Sequence, residues 1–151
     1  MQKIDLQITT PEGVAYKASD IDAISLPTST GEITILPGHI PLVSALIAGE
    51  ARIKRGEETE FLAVSGGFIE VQPNFKVVVL ADTAERAEHI DIDRAKKARQ
   101  KAEELMKQKH VNDVEYAALT SKIEREMARV KVARRHKAHR TPGEFIKTDD
   151  E

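Results

Sequence analysis

The chain has 151 residues, 40% hydrophobic but only 4% aromatic, with no tryptophan and no cysteine, and its 23 Lys/Arg against 25 Asp/Glu leave a formal charge of −2. That length suits one ordinary domain or two small ones around a modest aliphatic core. The lack of cysteine excludes disulfides, thiolate nucleophiles and Cys-ligated zinc, and the near-neutral total argues against a nucleic-acid-binding protein as a whole.

The start, Met1-Gln2-Lys3-Ile4-Asp5-Leu6, lacks the apolar core of a signal peptide. The longest nearly apolar run, Ile40 to Ala48, falls far short of the roughly 20 residues a membrane helix needs. The expectation is a soluble intracellular protein that meets any membrane through a partner, without inserting itself.

From the N-terminus, Ile4-Asp5-Leu6-Gln7-Ile8-Thr9 alternates apolar and polar residues, the period of a strand with one buried face. Pro11-Glu12-Gly13 turns the chain. Ile21 to Leu26, Glu32 to Leu36, Ala51 to Lys54, Glu60 to Val64, Phe68 to Val71 and Lys76 to Ala81 follow the same habit, separated by Thr28-Ser29-Thr30-Gly31, Pro37-Gly38-His39, Ala48-Gly49 and Arg55-Gly56. Such strands, with no helical stretch among them, predict a sandwich or small barrel.

Two places there invite a catalytic reading. His39 could serve acid-base chemistry, but no other histidine lies near it in sequence, and a turn or contact role fits better. Ser65-Gly66-Gly67 lacks the G-x-S-x-G elbow of a nucleophile. Paired glycines at a strand junction fit a bulge or close backbone packing.

Pro73 and Gly67 are the last proline and glycine until Pro142 and Gly143, so the second half is free of helix breakers. In Ile90-Asp91-Ile92-Asp93-Arg94-Ala95, Asp91 suits an N-cap and Ile90 a staple onto the first turn. Ile92, Ala95, Ala98, Ala102, Leu105 and Met106 then form a narrow apolar stripe. Asn112-x-x-Glu115 makes a second capping box. Tyr116, Leu119, Ile123, Val130 and Ala133 follow as a seam, with Met127 beside it and Glu126 interrupting it.

The short connection favours an antiparallel helical hairpin. Its alanine-rich stripes bury little, since only large aliphatic side chains contribute roughly 1.5–3 kcal/mol each, and a movable element is expected. The fold class is therefore α+β: an N-terminal antiparallel β-sandwich over residues 1–86, a two-helix antiparallel hairpin over 87–137, and a mobile tail over 138–151.

Charge divides along the same line. Residues 1–84 carry 6 Lys/Arg against 11 Asp/Glu, and residues 85–151 carry 17 against 14. Lys131 to Arg140 is a basic run, either a solvated helix end that complements the dipole or a contact for an acidic or polyanionic surface. A small nucleic-acid-binding protein gripping phosphate with that basic end is the alternative from another class. It would need interleaved aromatics or a basic sandwich face, and the sandwich is acidic.

Three blocks then carry a resemblance: Gly31-Glu32-Ile33-Thr34-Ile35-Leu36-Pro37-Gly38-His39-Ile40-Pro41-Leu42, Val64-Ser65-Gly66-Gly67-Phe68-Ile69-Glu70-Val71, and Val79-Leu80-Ala81-Asp82-Thr83-Ala84. In order, and from about Ile4 to Val132, the chain resembles the epsilon subunit of the bacterial F-type ATP synthase. Thr34 stands where many members carry glycine, and the segment beyond Val132 extends past the core resemblance.

The resemblance implies a non-catalytic central-stalk subunit that needs no cofactor, in a proton-transporting rotary complex on the cytoplasmic face of the bacterial cell membrane. Its sandwich would join the gamma subunit to the membrane rotor c-ring, with Glu32 toward the ring's polar loops and His39 on the gamma-facing side. Its hairpin would restrain ATP hydrolysis by the alpha/beta catalytic head, with Arg134, Arg135 and Lys137 on acidic beta-subunit surface.

Ile90-Asp91-x-x-Arg94-Ala95 also resembles the I/L-D-x-x-R-A pattern of members that bind ATP as a regulatory ligand. Glu85, Arg125 and Arg129 fall at the matching spacings, whereas Lys101 stands where some such members have arginine. Without a Gly-rich phosphate loop this would be a sensing site and not a hydrolytic one.

Overall fold

In the computed structural model of the chain, residues 2–108 and 111–140 are described, the last two of them, 139 and 140, for their backbone only. Eight strands come first: β1 Ile4–Thr10, β2 Gly13–Ile21, β3 Ala23–Thr28, β4 Gly31–Ile35, β5 Leu42–Leu46, β6 Gly49–Arg55, β7 Glu58–Val71 and β8 Lys76–Arg86. A single 3-10 turn, Ala87–His89, leads into helices α1 (Ile92–Met106) and α2 (Asp113–Arg140). The β-sandwich followed by a helical hairpin is the α+β architecture expected from the sequence.

The strands pair in the order β2-β1-β8-β7-β5-β3-β4, with β6 against β3 and β7. Every pairing is antiparallel except β1 with β8, which run parallel in the register Leu6↔Val77 and Ile8↔Val79. Alternate residues point into one aliphatic core, including Leu6, Ile8, Ile24, Leu26, Ile53, Leu62, Ile69, Val77 and Val79.

Two expected strands, Glu60 to Val64 and Phe68 to Val71, are one continuous 14-residue strand, β7. It pairs with β6 through Val64 and with β5 from Gly67 onward. Along it the inward side chains switch from Leu62 and Val64 to Ile69 and Val71, so the alternation changes phase at Gly66-Gly67. At Gly67, with φ 149°, a Cβ would stand 1.8 Å from the Leu80 carbonyl oxygen. Close backbone packing is therefore the reason for this glycine.

Strands β2 and β5 were not foreseen as such. The expected strand Ile21 to Leu26 is broken at Asp22, between β2 and β3. There the Asp22 carboxylate accepts from the Gly56 amide at 2.6 Å.

Both predicted helix caps are formed. Asp91 Oδ1 accepts from the Arg94 amide at 3.1 Å. Asn112 Oδ1 accepts from the Glu115 amide at 2.9 Å, while Glu115 Oε2 accepts from the Asn112 amide at 3.4 Å. Ile90 joins a small apolar cluster of Phe61, Ala63, Ala87 and Val132 where α2 meets the sandwich.

The seam expected on α2 is buried at Val130 and Ala133 but not at Tyr116, which is exposed. Glu126, Ala128 and Val132 are buried as well, because this part of the helix lies against both α1 and the sandwich. α2 also runs on to Arg140, past the expected hairpin end at residue 137, since no helix breaker intervenes before Pro142. The rest of the expected tail, residues 141–151, lies outside the described residues.

Candidate functional site

The seat of α2 is built from strand register. On the outer face of the sandwich, Glu50 of β6 stands opposite Ala63 of β7, and Ala63 stands opposite Glu85 of β8. Three α2 side chains at three-residue spacing, nearly one helical turn apart, meet this row. Arg129 Nε lies 3.0 Å from Glu85 Oε2. Val132 packs with Ala63. Arg135 Nη1 donates to Glu50 Oε1 at 2.6 Å.

Beside the row opens a cleft of about 360 Å³ between β8, the start of α1 and the middle of α2. It gathers Glu85, Asp91, Arg94, Ala95 and Arg129 of the expected nucleotide set, together with Lys122 and Glu126. Three carboxylates therefore face three cations, and Arg129 is already engaged. Its Nη1 donates to Glu126 Oε1 at 2.8 Å while its Nε meets Glu85. One Asp91 oxygen is committed to the α1 cap.

Arg125 does not line the cleft. It lies two helical turns before Val132, on the face turned to the sandwich, and its Nε is buried without a protein partner. Thus Arg129 lines the cleft and Arg125 does not. Glu126 and Lys122 are the cleft residues that sequence reading missed. The i, i+3 spacing of Glu126 and Arg129 was the available signal.

Of the three cations expected to meet a beta subunit, Arg134 and Lys137 are exposed on α2, whereas Arg135 is held by Glu50. Glu32 lies just after the β3–β4 turn, its side chain 49% exposed and ion-paired with Arg52. His39 is half-buried in the loop before β5, its Nδ1 2.7 Å from the Ile40 carbonyl oxygen and its amide donating to Leu36. These are contacts of a turn, and they supply no acid-base pair.

On the face of the sheet away from the core, Val43, Phe68 and Leu80 are 71%, 60% and 54% exposed. They lie on the adjacent strands β5, β7 and β8, with Phe68 directly opposite Leu80. Ile40, 74% exposed, lies in the loop that carries His39. Contiguous exposed apolar side chains of this kind mark an interaction surface.

Residues 3–87 match the family described as ATP synthase, Delta/Epsilon chain, beta-sandwich domain, and residues 88–134 match its long alpha-helix domain. The ATP synthase epsilon chain of Dehalococcoides mccartyi strain BAV1 is 45% identical over 139 residues, covering 92% of this chain and 98% of that one. That of Bacillus pumilus is 42% identical over 133 residues, covering 88% and 98%.

Among solved structures, the fold is shared with a chain of the Euglena gracilis mitochondrial ATP synthase OSCP/F1/c-ring assembly. The TM-score is 0.74 at 22% identity, over 92% of this chain and 83% of that one. A chain of the Tetrahymena thermophila mitochondrial ATP synthase central stalk and c-ring matches with TM-score 0.63 at 14% identity, over 87% and 97%. At those identities the likeness is one of fold.

Proposed function

The chain belongs to the ATP synthase delta/epsilon family as an epsilon chain, a subunit that is not itself catalytic, and from that premise we propose how it couples and regulates the rotary enzyme. The sandwich docks on the gamma subunit through the apolar face of Val43, Phe68 and Leu80, with Ile40 and His39 at its edge. Glu32 meets the polar loops of the membrane c-ring. The chain thus acts at the cytoplasmic face of a bacterial cell membrane as a peripheral part of the complex. Among the described residues no helix is long and apolar enough to cross a membrane.

The observation that carries the coupling role is that apolar sheet face. An aromatic and two aliphatic side chains left in water at the centre of a sheet favour a packed partner. Rotation needs such a surface and no reacting group, because torque passes between packed surfaces.

The regulatory role rests on how lightly α2 is seated. Among the described residues of α2, Val132 joins the apolar cluster with Phe61 and Ala63, and Arg129 and Arg135 add ion pairs to the seat. Such a seat can open at a cost of a few kcal/mol. Once free, α2 presents Arg134, Arg135 and Lys137 to acidic beta-subunit surface and restrains ATP hydrolysis.

ATP favours the seated form by entering the cleft. Its phosphates take Arg129 and Arg94, while Glu85 and Asp91 accept from the adenine amino group or ribose hydroxyls. A ligand shifts such an equilibrium only by its differential affinity for the seated form. Arg125 joins only if its side chain turns toward the cleft.

Phe68→Glu tests the docking reading. In reconstitution with gamma, binding is expected to weaken at least about a hundredfold, the loss of a central hot spot. Unchanged binding would remove this face from the interface.

A further inference from the structure

We propose that Glu50 and Arg135 form a nucleotide-independent latch, and that Arg135 becomes available to an acidic partner only when the latch opens. Glu50 is an outward-facing residue of β6, yet its side chain is 4% exposed because α2 covers it. Its Oε1 receives Arg135 Nη1 at 2.6 Å, and Arg52 Nε is more distant, at 3.8 Å. Its Oε2 has no protein partner. Arg135 is therefore the principal countercharge of a carboxylate that α2 itself shields from water.

Two consequences follow. A covered carboxylate deprived of its nearest cation is unfavourable, so α2 is less firmly seated at this point without Arg135, with Arg52 at 3.8 Å the remaining countercharge. When α2 lifts, water reaches Glu50 and the carboxylate is solvated again, so the pair opposes opening without forbidding it. Arg135 is itself 47% exposed, which moderates the contribution.

Register adds specificity. Arg129, Val132 and Arg135 meet Glu85, Ala63 and Glu50 in one row. A slip of one residue along α2 would misplace all three together. Neither Glu50 nor Arg135 lines the cleft of Arg129, so a ligand there acts on the other end of the row. One latch end answers to nucleotide and the other does not.

The latch concerns the seated form of the chain; only its effect on hydrolysis rests on the inhibitory reading above. Hydrogen exchange of α2 amides is followed in the full-length chain without nucleotide, for the unsubstituted protein, Glu50→Gln, Arg135→Gln and the double variant. Each single substitution is expected to accelerate exchange over residues 125–138 about tenfold, with no further gain in the double, a coupling of about 1.4 kcal/mol. Equal exchange in all four chains, or additive effects in the double, overturns the latch.

Arg135→Gln changes a helix surface and leaves the sandwich core intact, so its exchange rate decides the matter even where Glu50→Gln fails to fold. In the assembled enzyme, Glu50→Gln keeps Arg135 and is expected to lower ATP hydrolysis further. Accelerated exchange with unchanged hydrolysis overturns the inhibitory reading and leaves the latch standing.

Discussion

Glu50 and Glu85 stand in one cross-strand row on either side of Ala63, and each holds an arginine from the same helix, Arg135 and Arg129 respectively. The spacing of two β-strands on each side of a third thus sets the spacing of two cations along α2. Separate pairs at the two ends of one seat make the hairpin's attachment divisible.

That divisibility implies that the sandwich stands without the hairpin. A chain ending at Ala87 is expected to keep its β-sheet circular dichroism and to join the assembled enzyme, because the main core lies wholly in β1 to β8. Hydrolysis by that assembly should rise. Exposing Phe61 and Ala63 lowers the stability by about 1–2 kcal/mol. An unfolded fragment in thermal melts would show that the sandwich needs α2.

In the cleft, Glu126 holds Arg129 at 2.8 Å and, in the proposed ATP site, would compete with phosphate for it. Glu126→Gln removes a charge-assisted bond and is expected to tighten ATP binding about tenfold by calorimetry. Arg129→Ala should abolish the protection of helix amides by ATP. No protection of the unsubstituted chain at saturating nucleotide would leave Asp91 as a helix cap alone.

At the basic end, the paired substitution Arg134→Glu with Lys137→Glu leaves the Glu50–Arg135 bond untouched. Hydrolysis in the assembled enzyme should increase several-fold, and its salt dependence should flatten. Hydrolysis equal to that of the unsubstituted enzyme returns this stretch to a solvated helix end.

Gly67→Ala addresses the strand that joins both sandwich layers. Its added methyl would overlap the Leu80 carbonyl, at 1.8 Å, in a backbone conformation with φ 149°. A loss of about 2–4 kcal/mol is expected in denaturant unfolding. A change below half that range would mean that β7 and β8 separate easily at this point.

What the sequence revealed depended on how local the cause was. Alternation in Ile4 to Thr9 and the caps at Asp91 and Asn112 are set by neighbours and could be read directly. β2 escaped because its inward positions include Ala15 and Ala18, and because Val14 is 57% exposed. β5 escaped because Val43, on its outer face, is as apolar as Leu42 and Leu46 on the inner one, which erases the alternation.

The cleft was partly legible through the spacing around Asp91. The loss of Arg125 from its lining was not, since that depends on which faces of α2 meet the sandwich and α1. Glu50 and Arg135 are separated by 85 positions, and only the fold brings them together.

Strand β7 has one further consequence. It carries Phe61 and Ala63 beneath α2 and Phe68 on the opposite, apolar side of the domain, a span of roughly 16–23 Å at about 3.3 Å per residue. β8 pairs along most of its length, but on the other edge the partner changes from β6, which reaches Val64, to β5, whose pairing begins at Gly67. The two ends are thus held by different neighbours and joined through Gly66 and Gly67, both at positive φ, so a displacement of one end relative to the other would be taken up at that glycine pair.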